Sequence, residues 1–329
     1  MTRTTRTKPL LPILTFTLVQ AVQPGARAGS LDPTGPPAPT MKTLVEVEPR
    51  IAIPGGAGTV AITASGSYYL TGNRTGVAGS HGITISTGGS SCTLDLNGFS
   101  LMGVPGSATG IYIQDGYRVV IRNGSVYGFG QNGVDTGNAV GVLLESVDAV
   151  SNGGMGFKGV AIRAAGCTAR GNTLQGFYLY GGSVLDRCSA ISNGSNGFDL
   201  AGDIARDCTA TGNQFAGFDA FGGAVERCMA IGNVTVGIDA SLGTLVIDNE
   251  CASSATGILI SGDETLVKGN VVRHNTTGIS GSAAGLVVGN MATQNTTNYS
   301  LSGSMRAGAI DILTTQGEIQ TNGIANFSY

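Results

Sequence analysis

The chain contains no tryptophan and only two histidines, His81 and His274, and charged residues make up just 12% of it, about half the usual share. Without tryptophan and with 6% aromatics, any aromatic binding platform is thin. Two histidines so far apart in sequence do not suggest a zinc cluster. Basic stripes are missing as well, and the formal charge is −3. Residues 1–28 hold four basic and no acidic side chains, so their removal would leave −7. Phosphate neutralisation supplies most nucleic-acid affinity, so a nucleic-acid partner is excluded. Long apolar runs are missing too. The stretch from Leu10 to Val19 is broken by Pro12, Thr15 and Thr17 and is too short to span a bilayer. No second run follows, so no membrane span is expected.

What precedes and follows that stretch reads as a signal peptide over residues 1–28. Arg3, Arg6 and Lys8 form a basic start, and Ala26-Arg27-Ala28 offers an A-x-A cleavage site. Cleavage near Ala28 predicts a secreted, periplasmic or cell-surface protein. Residues 29–44 include Pro33, Pro36, Pro37 and Pro39 and read as a stiff linker. Folded structure is expected over 45–305, with a C-terminal tail or cap over 306–329.

The chain is rich in glycine, with 54 residues, and the glycines are periodic. Cys188-Ser-Ala190, Asn193 and Gly197-Phe198-Asp199-Leu200 recur as Cys208-Thr-Ala210, Asn213 and Gly217-Phe218-Asp219-Ala220. They recur again as Cys228-Met-Ala230, Asn233 and Gly237-Ile238-Asp239-Ala240. Following the glycine through Gly156, Gly176, Gly197, Gly217, Gly237, Gly257 and Gly278 gives intervals of 20 or 21. Gly110 and Gly133 continue the series upstream at 23. Apolar residues alternate over short runs, as in Phe198-Asp199-Leu200, which is strand period. Each run stops at Gly or Asn, residues that tolerate left-handed turns. One such unit cannot bury its own face, so units must stack, about 4.8 Å per coil. Leucine-rich repeats need a Leu-x-x-Leu-x-Leu run that is missing here, and propeller blades need about 40 residues. The pattern predicts an all-β, single-stranded parallel β-helix of roughly 20–23 residues per coil.

Stacking turns sequence columns into ladders. Phe157, Phe177, Phe198 and Phe218 are expected to pack inward above one another, continued by Ile238, Ile258 and Ile279. Asn152, Asn172, Asn193, Asn213 and Asn233 should form an amide ladder at a turn, donating to one coil and accepting from the next. Cys167, Cys188, Cys208 and Cys228 fall in one inward column. Six cysteines in an exported chain invite disulfides, but parallel side chains one coil apart point badly for S–S geometry, which favours buried thiols. Asp186/Arg206/Glu226 and Arg187/Asp207/Arg227 alternate in sign and read as cross-coil ion pairs. The Asn-x-Ser/Thr sequons at Asn73, Asn275 and Asn295 reflect composition, since Asn233 would be a sequon inside the ladder.

The Asn-x-x-x-Gly-(Phe/Ile) coils resemble the right-handed parallel β-helix repeats of the pectate-lyase-like superfamily. Gly66-Ser67-Tyr68-Tyr69-Leu70, Leu94-Asp95-Leu96-Asn97-Gly98-Phe99 and the ending Ala325-Asn326-Phe327 are similar to exported bacterial β-helix proteins known chiefly by their shape. The resemblance implies the fold and export. It carries over no catalytic residue: the Asn-Thr-Asp, Asp-Asp, Gly-His-Gly and Arg-Ile-Lys motifs of polygalacturonase-like members are missing. So are the Arg-x-Pro-x-x-Arg and Trp-x-Asp-His motifs of pectate lyases. Ser80-His81-Gly82 is the nearest approach, in the wrong context.

One outward column stands apart: Lys158, Tyr178, Asp199, Asp219, Asp239, Leu259 and Ser280. Three stacked carboxylates should raise at least one pKa unless a cation lies between them. The column reads as a solvated acidic face, as a Ca²⁺ site on Asp199, Asp219 and Asp239, or as a catalytic row. Adjacent carboxylates suit a retaining glycosidase, and Lys158 or Tyr178 could take a proton from a uronate. The non-enzymatic expectation is a rigid surface element binding an extended polysaccharide or cell-surface glycan along a flat face, with Tyr178 and Tyr180 stacking on sugars.

Overall fold

In the computed structural model of the chain, residues 50–312 and 325–328 are described; the signal peptide and linker expected over 1–44 lie outside them. Among the described residues there is no helix. Each regular coil is three short strands. One runs Phe177–Tyr180, Val184–Asp186, Ser189–Ile191, and the next Phe198–Ala201, Ile204–Arg206, Thr209–Thr211. Every strand pairs in parallel with its counterpart one coil away, as in Phe177↔Phe198, Leu185↔Ala205 and Ala190↔Ala210. The result is a parallel β-helix with three faces. Face 1 is a sheet of twelve strands, from Val60–Ile62 to Thr297–Leu301. Faces 2 and 3 carry the second and third strands of each coil. In two of the earlier, longer coils these two faces merge into one strand, Val119–Tyr127 and Leu143–Val150. The single strand Leu143–Val150 pairs with both Arg163–Ala165 and Thr168–Arg170 of the following coil.

The corners explain the periodic small residues. The turn from face 2 to face 3 needs one left-handed residue, and Arg187, Asp207 and Arg227 supply it at φ of 51–52°, each at a cost of about 1 kcal/mol or more. At the turn from face 1 to face 2, Gly223 has φ +82°, and a Cβ there would lie 2.0 Å from the Asp203 carbonyl oxygen. Only glycine fits.

Inside, the phenylalanines touch in succession. Ring centroids of Phe157–Phe177, Phe177–Phe198 and Phe198–Phe218 lie 4.7–4.8 Å apart with interplanar angles of 3–13°. The asparagine ladder is continuous: Nδ2 of Asn152, Asn172, Asn193 and Asn213 each donates to Oδ1 of the next asparagine at 2.9–3.0 Å. The backbone N–H of each rung donates to the same oxygen, and Nδ2 of Asn172, Asn193, Asn213 and Asn233 also reaches the carbonyl of Ala149, Ala169, Ala190 or Ala210. Buried amides and turn backbone satisfy one another. Cys167, Cys188, Cys208 and Cys228 are buried and free. The N–H of Cys188 donates to the sulfur of Cys208, and that of Cys208 to the sulfur of Cys228, both at 3.4 Å.

Two features depart from the expectations. Below Cys228 the same column turns into a second amide ladder, Asn249, Asn270, Asn290 and Asn326, linked at 2.9–3.1 Å. The last rung is out of sequence order: Asn326–Ser328 lies between Met291–Thr293 and Ile310–Ile312, paired with both. The end of the expected tail is therefore part of the helix. Of the expected ion pairs, Arg206–Glu226 and Arg227–Asp207 bridge coils at 2.9 Å. Arg187 instead pairs with Asp186 of its own coil at 2.7 Å.

Candidate functional site

Face 1 presents one unbroken outer column. Its register runs Thr84, Tyr112, Asp135, Lys158, Tyr178, Asp199, Asp219, Asp239, Leu259 and Ser280. The five expected site residues, Lys158, Tyr178, Asp199, Asp219 and Asp239, stand one above another on the outside of strands whose alternate residues fill the core.

The upper part of the column is paired. Asp135 is buried, receives the Asn132 amide and the Gly137 N–H at 3.0 Å, and holds Lys158 Nζ at 3.2 Å. Above it the His81 ring stacks on Tyr112 with centroids 4.7 Å apart. His81 Nδ1 accepts the Thr109 N–H at 3.2 Å, which leaves Nε2 to carry the ring proton. Tyr178 packs edge-on against Tyr180 at 6.1 Å.

The lower part has no basic partner in the column. Gln175 Nε2 donates to Asp199 at 3.3 Å, Asn196 Nδ2 to Asp219 at 3.0 Å and Ser261 Oγ to Asp239 at 2.6 Å. Partial burial pushes Asp199 up, opposed by the Gln175 and Asn196 amides. Burial, with the charges of Asp199 and Asp239 above and below, pushes Asp219 up to about 6. The carboxylates stand in a line and do not converge. Among the described residues no group of three or more His, Cys, Asp or Glu is arranged to hold a metal ion.

Exposed apolar side chains border this acidic row on both edges of face 1. Leu174, Phe215 and Val234 lie where face 3 turns into face 1, and Tyr180, Phe221 and Leu242 where face 1 turns into face 2. Phe215 and Phe221 are each 54% exposed, unusual for rings in a chain with so few aromatics. Phe221 stands in the outer column of Tyr180, two coils on.

Sequence reasoning missed Tyr112, Asp135 and His81 as parts of the face, and Phe215 and Phe221 as its edges. A signal existed: Tyr112, Asp135 and Lys158 are 23 residues apart, the interval of the longer coils.

A family model described as a right handed beta helix region matches residues 58–215. Among solved structures, the A-module of the Azotobacter vinelandii mannuronan C-5 epimerase AlgE6 aligns with TM-score 0.59 at 14% identity, over 85% of this chain and 90% of that one. The AlgE4 A-module from the same organism aligns with TM-score 0.57 at 13% identity, over 79% and 89%. At such identities the likeness is one of fold. No curated protein matches the chain. With the coil register above, these matches show the fold, a right-handed parallel β-helix.

Proposed function

We propose that face 1 is the binding surface for an extended polysaccharide, and that the protein acts outside the cytoplasm as a rigid surface or matrix element. One observation carries this: a straight outer column of phenols, carboxylates and one ammonium, bordered on both edges by exposed apolar side chains. Coils repeat about every 4.8 Å, so a polymer lying along the axis meets like groups at regular intervals. Carboxylates and phenols bond sugar hydroxyls, while Tyr180, Phe215 and Phe221 offer faces for pyranose C–H surfaces. The mannuronan C-5 epimerase modules that share the fold are in keeping with a polymeric sugar partner. Export is in keeping with the basic, apolar and A-x-A pattern of residues 1–28. Among the described residues no helix is long and apolar enough to cross a membrane. Affinity electrophoresis through gels containing soluble polysaccharides tests the reading. At least one polymer should retard the protein, and Phe215→Ala with Phe221→Ala should abolish that retardation; free migration through every polymer contradicts it.

A second reading, glycoside hydrolysis, is favoured by Asp219 alone. A carboxyl raised to about 6 between two others matches the division of labour between acid and nucleophile, and neighbouring coils give close to the carboxyl separation of a retaining enzyme. A uronate lyase using Lys158 or Tyr178 fits less well, because Lys158 is engaged by Asp135. Release of reducing ends, lost in Asp219→Asn, would establish hydrolysis. Ultraviolet absorbance of unsaturated ends would instead establish elimination.

A further inference from the structure

We infer that the polymer taken by face 1 is an amino-sugar polysaccharide, carrying protonated amines along a chain of apolar-faced rings, and not a polyuronate. The inference rests on the glycan-binding reading and adds the charge of the ligand to it.

The two apolar edges set the shape of the occupant. Leu174, Phe215 and Val234 on one side and Tyr180, Phe221 and Leu242 on the other are all exposed, and the floor between them is the row Asp199, Asp219, Asp239. A ligand lying across this face needs apolar surfaces for the edges and must accept three carboxylates at its middle. Charge complementarity decides between glycan classes. In the outer column, register passes from Tyr178 through the three aspartates to Leu259 and Ser280 without a basic residue. The lysine above them, Lys158, already bonds Asp135. A polyuronate would bring its carboxylates against this row with no cation to receive them, and like charges at that distance repel. A neutral glycan would rest on the edges and leave the row uncompensated.

An amine resolves both. A carboxylate offers about four acceptor positions, and the bonds from Gln175, Asn196 and Ser261 leave acceptor positions open on each aspartate. Ammonium groups arriving from the open side have acceptors on every coil and relieve the repulsion that, with burial, holds Asp219 up at about 6.

The test is isothermal titration of the intact protein with a glucosamine oligosaccharide, its N-acetylated counterpart, polymannuronate and polylysine. The glucosamine chain should bind tighter than the N-acetylated chain by about tenfold or more, with polymannuronate weakest. In a variant carrying Asp199→Asn, Asp219→Asn and Asp239→Asn the glucosamine and N-acetylated affinities should converge. Polymannuronate bound as tightly as the glucosamine chain would overturn the inference and leave the glycan function standing. Polylysine bound as tightly would also overturn it, by showing that charge alone suffices. If no glycan binds, the inference and the function beneath it fail together.

Discussion

The inner and outer columns of face 1 are one residue apart in sequence and obey different rules. Going down the inside, Phe157, Phe177, Phe198 and Phe218 repeat without change, fully buried and stacked. On the outside, the next residues are Lys158, Tyr178, Asp199 and Asp219. Close packing leaves an interior position no freedom beyond the shape of the coil above it, whereas an outward position is restrained only weakly by its neighbours. Regularity therefore marks what the fold requires, and departures from regularity mark where chemistry has room.

Substitutions on either side of that boundary should separate sharply. Phe198→Ala empties a rung of the stack and should cost about 3–5 kcal/mol in denaturant unfolding. Asp199→Asn, one residue on, removes a like charge and should cost nothing measurable; equal losses for the two would break the comparison. Asn193→Ala comes next. It leaves the Asn172 N–H and the Ala169 carbonyl without their partner, and each buried orphan costs about 1–3 kcal/mol.

On the outer side the expected effect is smaller and depends on pH. Asp219 is held at about 6 against an ordinary value of 3.8. A group raised in the folded state contributes stability that is complete below its unfolded value and lost as pH rises through the folded one. The melting temperature of Asp219→Asn should therefore gain on the wild type as pH rises from about 3.8 to about 6 and then level off, and a constant difference across that range would refute the assignment. Smallest of all is Cys228→Asn, which would extend the lower amide ladder upward, since Cys228 N–H already donates to Asn249 Oδ1 at 2.8 Å. It should leave the melting temperature unchanged or slightly higher, and a marked fall would show that the thiol column is distinct from the amide column it joins.

The same boundary explains what was legible in the sequence. The Phe stack and the Asn152–Asn233 ladder could be read from intervals of 20 and 21, because each rung must match the last. The acidic row was legible through its constant offset from those phenylalanines. Tyr112 and Asp135 lie two residues after Gly110 and Gly133, whose interval of 23 was legible, but an outward column that changes residue type from coil to coil carries no repeat of its own. Asn249, Asn270 and Asn290 kept the right spacing, but they replace cysteines, so a column traced by residue type ended at Cys228. Asn326 was beyond reach, since its strand inserts between Met291–Thr293 and Ile310–Ile312, and no periodicity encodes a rung placed out of order. The pairing of Lys158 with Asp135 was hidden for the same reason as Asp135 itself. It changes the chemistry of the column by engaging its one lysine.

The most direct test of the account is amide hydrogen exchange with and without a bound oligosaccharide. If face 1 is the working surface, added protection should fall on Phe177–Tyr180, Phe198–Ala201, Ala216–Phe221 and Val236–Ser241 and on the edges beside them. Protection centred on the face 2 or face 3 strands of those same coils would contradict it.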